Sequence, residues 1–195
     1  MNAVTISIVF HSGYGHTARQ AAAVARGAAI DAATVHLFDV TDPPTNMWDV
    51  LDMSDAIIFG SPTYMGGASA EFRRFAEESS AAWSSQRWRN KYAAGFTNSA
   101  GVNGDKLATL MSFAILAAQH GMHWINLGLP PGWLYSAEGT AEDPNRLGSF
   151  LGAMALSASD AAPAVAPSES DLRTAEHLGR RVATIAAAAR TVGVL

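Results

Sequence analysis

The chain predicts an α/β fold, a parallel sheet with helices on both faces, and three observations carry that expectation. Five short apolar runs rich in β-formers recur along its 195 residues. Segments with helical spacing separate them, and Gly, Pro, Asn or Asp closes each run. Alternating strand and helix implies right-handed βαβ units, and these produce a three-layer α/β/α sandwich around a buried parallel sheet. The length suits one well-buried domain and is short for two, so residues 1–195 are read as a single domain.

The elements follow in order. "AVTISIVF" (3–10) is the first strand, and the alanine-rich stretch from Thr17 to Ala29 the first helix. "TVHLFDV" (34–40) is the second strand; the irregular "TDPPTNMWDVLDMS" (41–54) leaves room only for a short helix. "DAIIFGS" (55–61) precedes a helix over Ser69–Ala82, where Phe72, Phe75 and Ala76 share a face. "YAAGFTN" (92–98) precedes a helix over Asp105–His120 carrying Leu107, Leu110, Met111, Ala114 and Leu116. "HWINLGL" (123–129) is the fifth strand. "SASDAAPAVAPSESD" (157–171) reads as a surface crossing, and Leu172, Ala175, Leu178, Val182 and Ile185 mark a last amphipathic helix, with Ser168 and Asp171 spaced as a capping box.

Composition narrows the function. Charged residues make up 15% of the chain, below the roughly 25% usual for soluble domains, so part of the surface is expected to lie against another subunit in a homodimer or homotetramer. A net charge of -4 without any basic run argues against nucleic acid. The absence of cysteine removes thiolate catalysis, disulfides and iron–sulfur clusters, so redox chemistry would need a cofactor. No stretch approaches ~18 uninterrupted apolar residues, and no basic leader precedes the first strand, so a cytoplasmic chain without membrane insertion is expected.

In open α/β sheets ligands bind beyond the carboxyl ends of the strands. Three loops there are dense in Gly, Ser, Thr and Asn: Ser12-Gly13-Tyr14-Gly15-His16-Thr17, "GSPTYMGG" (60–67) and "TNSAGVNGDK" (97–106). A glycine turn opening into a helix gathers amides at the positive end of the helix dipole, which favours a phosphate. Gly13, Gly15 and Ala18 also satisfy G-x-G-x-x-A, and Asp39 lies about 20 residues on, as in a dinucleotide site. The added hydroxyls of Ser12 and Thr17 favour a terminal phosphate dianion instead. A strand order of 2-1-3-4-5 then places all three loops around one flat ring, a flavin, making the ligand FMN.

Plainer readings stand beside these. Gly13 and Gly15 also suit a tight turn, Ser12 or Thr17 an N-cap, and Asp39 a strand-end turn. Pro62, Gly66 and Gly67 suit loop punctuation, with Tyr64 a half-buried aromatic. Asp105 reads as a helix N-cap, and Asn98, Ser99 and Asn103 as partners of their own loop backbone. His120 and His123 have H-x-x-H spacing but no third ligand, so no metal site is expected. Trp83, Trp88 and Trp124 read as core or interface, and "SSAAWSSQ" lacks the G-x-S-x-G elbow of a hydrolase.

"SGYGHT", "GSPTYMGG" and "GFTNSAGVNGDKLATL", followed by "LAAQHGMHWINLG" and "NRLGSFLGAMA", resemble in order the flavodoxin-like FMN proteins of the WrbA-type NAD(P)H:quinone oxidoreductase and NADPH-dependent FMN reductase group. The resemblance runs over most of the chain. It implies that Ser12, Gly13, Tyr14, Gly15, His16 and Thr17 hold the FMN phosphate. It implies that Pro62, Thr63, Tyr64, Met65, Gly66 and Gly67 pass along the isoalloxazine, and that Thr97, Asn98, Ser99, Ala100 and Gly101 reach its pyrimidine side. Tyr64 and Met65 stand where the family usually carries Arg-Phe, and its histidine after the fifth strand has no match here.

The activity so implied is hydride transfer from NAD(P)H to flavin N5 and onward passage of two electrons to a quinone or similar small flat acceptor. No catalytic side chain is required. The alternative is a non-catalytic electron carrier or flavin-dependent interaction protein. The segment 129–149 lies where a lid or subunit contact would sit, with Trp133 and Tyr135 as candidate walls over the flavin.

Overall fold

The computed structural model describes residues 3–31, 33–133 and 136–191. Tyr135, a candidate wall, lies outside the described residues. The elements are β1 (Val4–Phe10), α1 (His16–Ala28), β2 (Ala33–Asp39), α2 (Met47–Met53), β3 (Ala56–Tyr64), β4 (Gly67–Ala68), α3 (Ala70–Glu78) and α4 (Ser80–Ser84), then β5 (Tyr92–Ser99), α5 (Lys106–Gln119), β6 (His123–Trp124), β7 (Ala153–Leu156) and α6 (Glu169–Thr191). Among the described residues no helix is long and apolar enough to cross a membrane.

The fold is flavodoxin-like, with parallel strands in the order β2-β1-β3-β5-β6. Strand periodicity explains the two cores. Ile6, Ile8, Ala56, Ile58, Ala94 and Phe96 point to the face covered by α1 and α6. Val9, Ile57, Phe59 and Ala93 point to the opposite face, among Leu51, Phe72, Phe75, Leu110 and Phe113 of the other helices. Trp88 is fully buried there and donates to Asp52 Oδ1 at 2.9 Å, whereas Trp83 stands half exposed.

Among the described residues the sheet has seven strands rather than five. β4 adds an antiparallel hairpin to β3, and the fifth position is shared by two segments. β6 pairs with Tyr92 and Ala93 at the start of β5; β7 pairs with Phe96 to Ser99 at its end. The expected strand over 123–129 therefore keeps only two residues in strand pairing. Gly128 takes a left-handed turn (φ 62°), and Pro130 and Pro131 bring no N–H for a ladder. The chain leaves the sheet and returns to it at Ala153.

The helix expected over 69–82 is two helices meeting at Ser79, whose hydroxyl donates to Ala76 O. The capping box at Ser168 is half formed. Ser168 Oγ accepts from Asp171 N at 3.4 Å, but the Asp171 carboxylate binds Arg146 at 2.8 and 2.9 Å and accepts from Leu156 N at 2.9 Å. Asp171 thus fastens the segment before β7 and the end of β7 to α6. Asp105 occupies the N-cap position of α5 in a left-handed conformation (φ 53°), and its side chain caps nothing.

Candidate functional site

A cleft of about 400 Å³ opens beyond the carboxyl ends of β1, β3, β5 and β7. Ser12, Tyr14, His16 and Thr17 line it from the first loop, Pro62, Thr63 and Tyr64 from the second, and Asn98, Ser99 and Ala100 from the third. Gly13, Gly15, Met65, Gly66, Gly67, Thr97 and Gly101 are not among the lining residues.

The first loop is built around Ser12. Its Oγ accepts from Gly15 N at 3.1 Å and from Ala18 N at 3.0 Å, drawing the chain into a turn that Gly15 completes at φ 88°. Gly15 precedes the first residue of α1, so the turn delivers the helix N-terminus to the cleft. Among the described residues nothing takes up the amides of Tyr14, His16 and Thr17, or the hydroxyl of the nearly buried Thr17. Two loops press on the glycines. A Cβ at Gly13 would stand 2.5 Å from Tyr64 Oη, and one at Gly15 would stand 2.7 Å from the Pro163 ring.

The second and third loops are tied together beneath the cleft. Thr63 Oγ1 lies 2.8 Å from both Thr97 Oγ1 and Thr109 Oγ1, linking β3, β5 and α5 through buried hydroxyls. Thr97 is consumed by this link and fully buried. Met65 and Gly66 form the exposed tip of the β3–β4 hairpin with positive φ, while Gly67 pairs back to Tyr64. Gly101 turns its carbonyl inward to Lys106 Nζ, which also donates to Val102 O at 3.2 Å. Burial lowers the Lys106 pKa to about 8, with Asp171 opposing the shift and Arg146 adding to it.

Ser157 and Ser159, unmarked by the sequence reading, also line the cleft. The segment read as a surface crossing is largely exposed over residues 158–165, as expected, and it also lies against the start of α1: His16 Nε2 meets Ala161 O at 2.8 Å, and Arg19 donates to Pro163 O and Ala164 O. The signal was the serine pair directly after a sheet strand, hidden because the fifth strand was placed at 123–129.

Among the described residues the lining carries no Asp, Glu, Lys or Arg. Partial desolvation, and then neighbouring Tyr14, raise the pKa of the Tyr64 phenol. Unpaired amides, hydroxyls and a helix N-terminus, with no carboxylate among the described lining residues, fit a phosphate monoester. The dinucleotide reading loses its acidic partner. Asp39 Oδ1 is engaged by Thr41 N at 3.0 Å and Thr41 Oγ1 at 2.8 Å, a local turn.

The profile of the NADPH-dependent FMN reductases matches residues 11–129. The chain is 42% identical over 178 residues to flavodoxin FldP of Pseudomonas aeruginosa, covering 91% of this chain and 94% of that one. It is 33% identical over 205 residues to an NAD(P)H dehydrogenase (quinone) of Archaeoglobus fulgidus, covering 93% and 96%. Among solved structures, a WrbA-like flavodoxin from Agrobacterium tumefaciens superposes with a TM-score of 0.74 at 42% identity, over 95% of this chain and 99% of that one. The chain therefore belongs to the NADPH-dependent FMN reductase family, in its flavodoxin-like, FMN-binding, WrbA-type group.

Proposed function

We propose that the protein is an FMN-dependent oxidoreductase that takes electrons from NAD(P)H and delivers them to a quinone or similar flat acceptor. The observation that carries this reading is the cleft itself: one uncharged site where an anion-ready helix N-terminus and three strand-end loops converge. FMN, when bound, supplies hydride acceptance from nicotinamide and two-electron donation to the acceptor. The amides of Tyr14, His16 and Thr17, with the Ser12 and Thr17 hydroxyls, hold the phosphate. Pro62 to Tyr64 set the position of the ring, and the 98–101 segment places polar groups at its pyrimidine side. Tyr14 and Tyr64, both solvent-exposed at the rim, meet edge-on with centroids 6.4 Å apart and bound the space for donor and acceptor.

The relative named flavodoxin favours a second reading, a carrier that passes electrons to a protein. Docking of that kind commonly uses a strong single-sign patch, and the cleft lining offers no charge. Assembly as a homodimer or homotetramer belongs to the first reading, since Leu107, Met111 and Ile115 stand exposed at one-turn intervals along α5 in a chain poor in charge.

Initial rates at varied NAD(P)H and benzoquinone test the proposal. One shared space makes donor and acceptor take turns, giving parallel double-reciprocal lines. Intersecting lines refute the shared space, and no NAD(P)H oxidation with any quinone moves the assignment to the carrier.

A further inference from the structure

We infer that Ser157 is a positioning residue for the flavin, turning the Asn98 carboxamide so that its N–H group, and not its oxygen, faces the ring's pyrimidine carbonyls. The inference rests on the FMN reading and names how one edge of that site is set.

Asn98 closes β5, in register with Pro62 on one side and Ala155 on the other. It lines the cleft with only 5% of its surface exposed. Its Oδ1 accepts from Ser157 Oγ at 2.9 Å in a buried hydrogen bond, and Ser157 N in turn donates to Ser99 O at 3.3 Å, which locks the serine against the same strand. A primary amide has one acceptor oxygen and one donor nitrogen. With the oxygen held by Ser157, the nitrogen is the end left over, and among the described residues nothing else binds it. The only buried side-chain polar atoms there without partners are Gln20 Oε1 and His120 Nδ1, so Asn98 Nδ2 is not sealed off inside the protein.

The ligand chemistry follows. A fixed N–H donor recognises a carbonyl oxygen, and the interaction strengthens as that oxygen gains negative charge. The pyrimidine C2 and C4 carbonyls of an isoalloxazine are such groups, and they become more electron-rich when the ring is reduced. Asn98 should therefore favour reduced over oxidised FMN. Without the Ser157 hydroxyl the carboxamide is free to present its oxygen, which repels those carbonyls.

The test uses the FMN-loaded protein, its dissociation constant for oxidised FMN and its two-electron midpoint potential against an indicator dye. Ser157→Ala should bind reduced FMN about tenfold more weakly relative to oxidised FMN, a drop of ~30 mV for a two-electron couple. Asn98→Asp keeps the acceptor for Ser157 but replaces the cleft-facing nitrogen by oxygen, so its potential should fall further. A wild-type potential in either folded variant overturns the inference while leaving the cofactor reading intact. A wild-type chain that does not bind FMN overturns both.

Discussion

The hydroxyl of Tyr64 lies over Gly13, so close that a Cβ on the glycine would stand 2.5 Å from Tyr64 Oη. The loops leaving β1 and β3 therefore meet through a backbone that has no room for a side chain while the phenol is in place. Gly13→Ala should push the Tyr64 ring away and weaken FMN binding several-fold. Tyr64→Phe removes the blocking oxygen, leaving the next ring atom at an ordinary 3.5 Å. The double variant should regain much of the lost affinity. Flavin-fluorescence titration of the four proteins checks this, and additive effects would show that the two loops are not coupled through this contact.

Lys106 gives the fold a pH dependence with a defined sign. Its pKa is about 8 when folded, against 10.5 for an exposed lysine, chiefly because burial disfavours the ammonium. Below pH 8 both folded and unfolded chains carry the charge, and the burial cost is present in full. Between pH 8 and 10.5 the unfolded chain holds a proton that the folded one has released, so this group makes stability rise with pH. Lys106→Met removes the titration. The stability of the native protein relative to the variant should climb through that window by roughly 3 kcal/mol at most. Urea denaturation at several pH values measures the difference, and a flat difference contradicts the argument.

At the crossing of α1 and α6 the two backbones touch. A methyl group on Gly179 would overlap Val24 O, and one on Gly27 would overlap Glu176 O. Neither obstacle is a side chain able to swing aside, so the helices would have to separate. Gly179→Ala is expected to cost roughly 1–3 kcal/mol or more, as overpacking does. The shift in chemical denaturation midpoint reads it; a midpoint at the native value would mean that the helices slide apart freely.

Local chemistry made much of this protein legible in the sequence. Strand periodicity and loop composition determined the α/β class and the three loops that meet at the cleft, because alternation and turn residues act over a few neighbours; the strand order came from the rule that ligands bind where the order of an open sheet reverses. The turn at Gly15 was readable for the same reason. Tertiary structure alone decided the rest. The fifth sheet position is filled by two segments far apart in the chain, since pairing with each half of β5 is a long-range choice that no local pattern records. That choice brings Ser157 and Ser159 to the cleft and turns the Asp171 carboxylate from its own helix cap to Arg146 and Leu156, while the pairing of β3 with β5 spends Thr97 on a buried link to Thr63. The Asp171 carboxylate, with a local cap available to it, is taken by distant partners instead. Burial makes an unsatisfied group costly wherever it sits, and the partner that meets it there is set by packing.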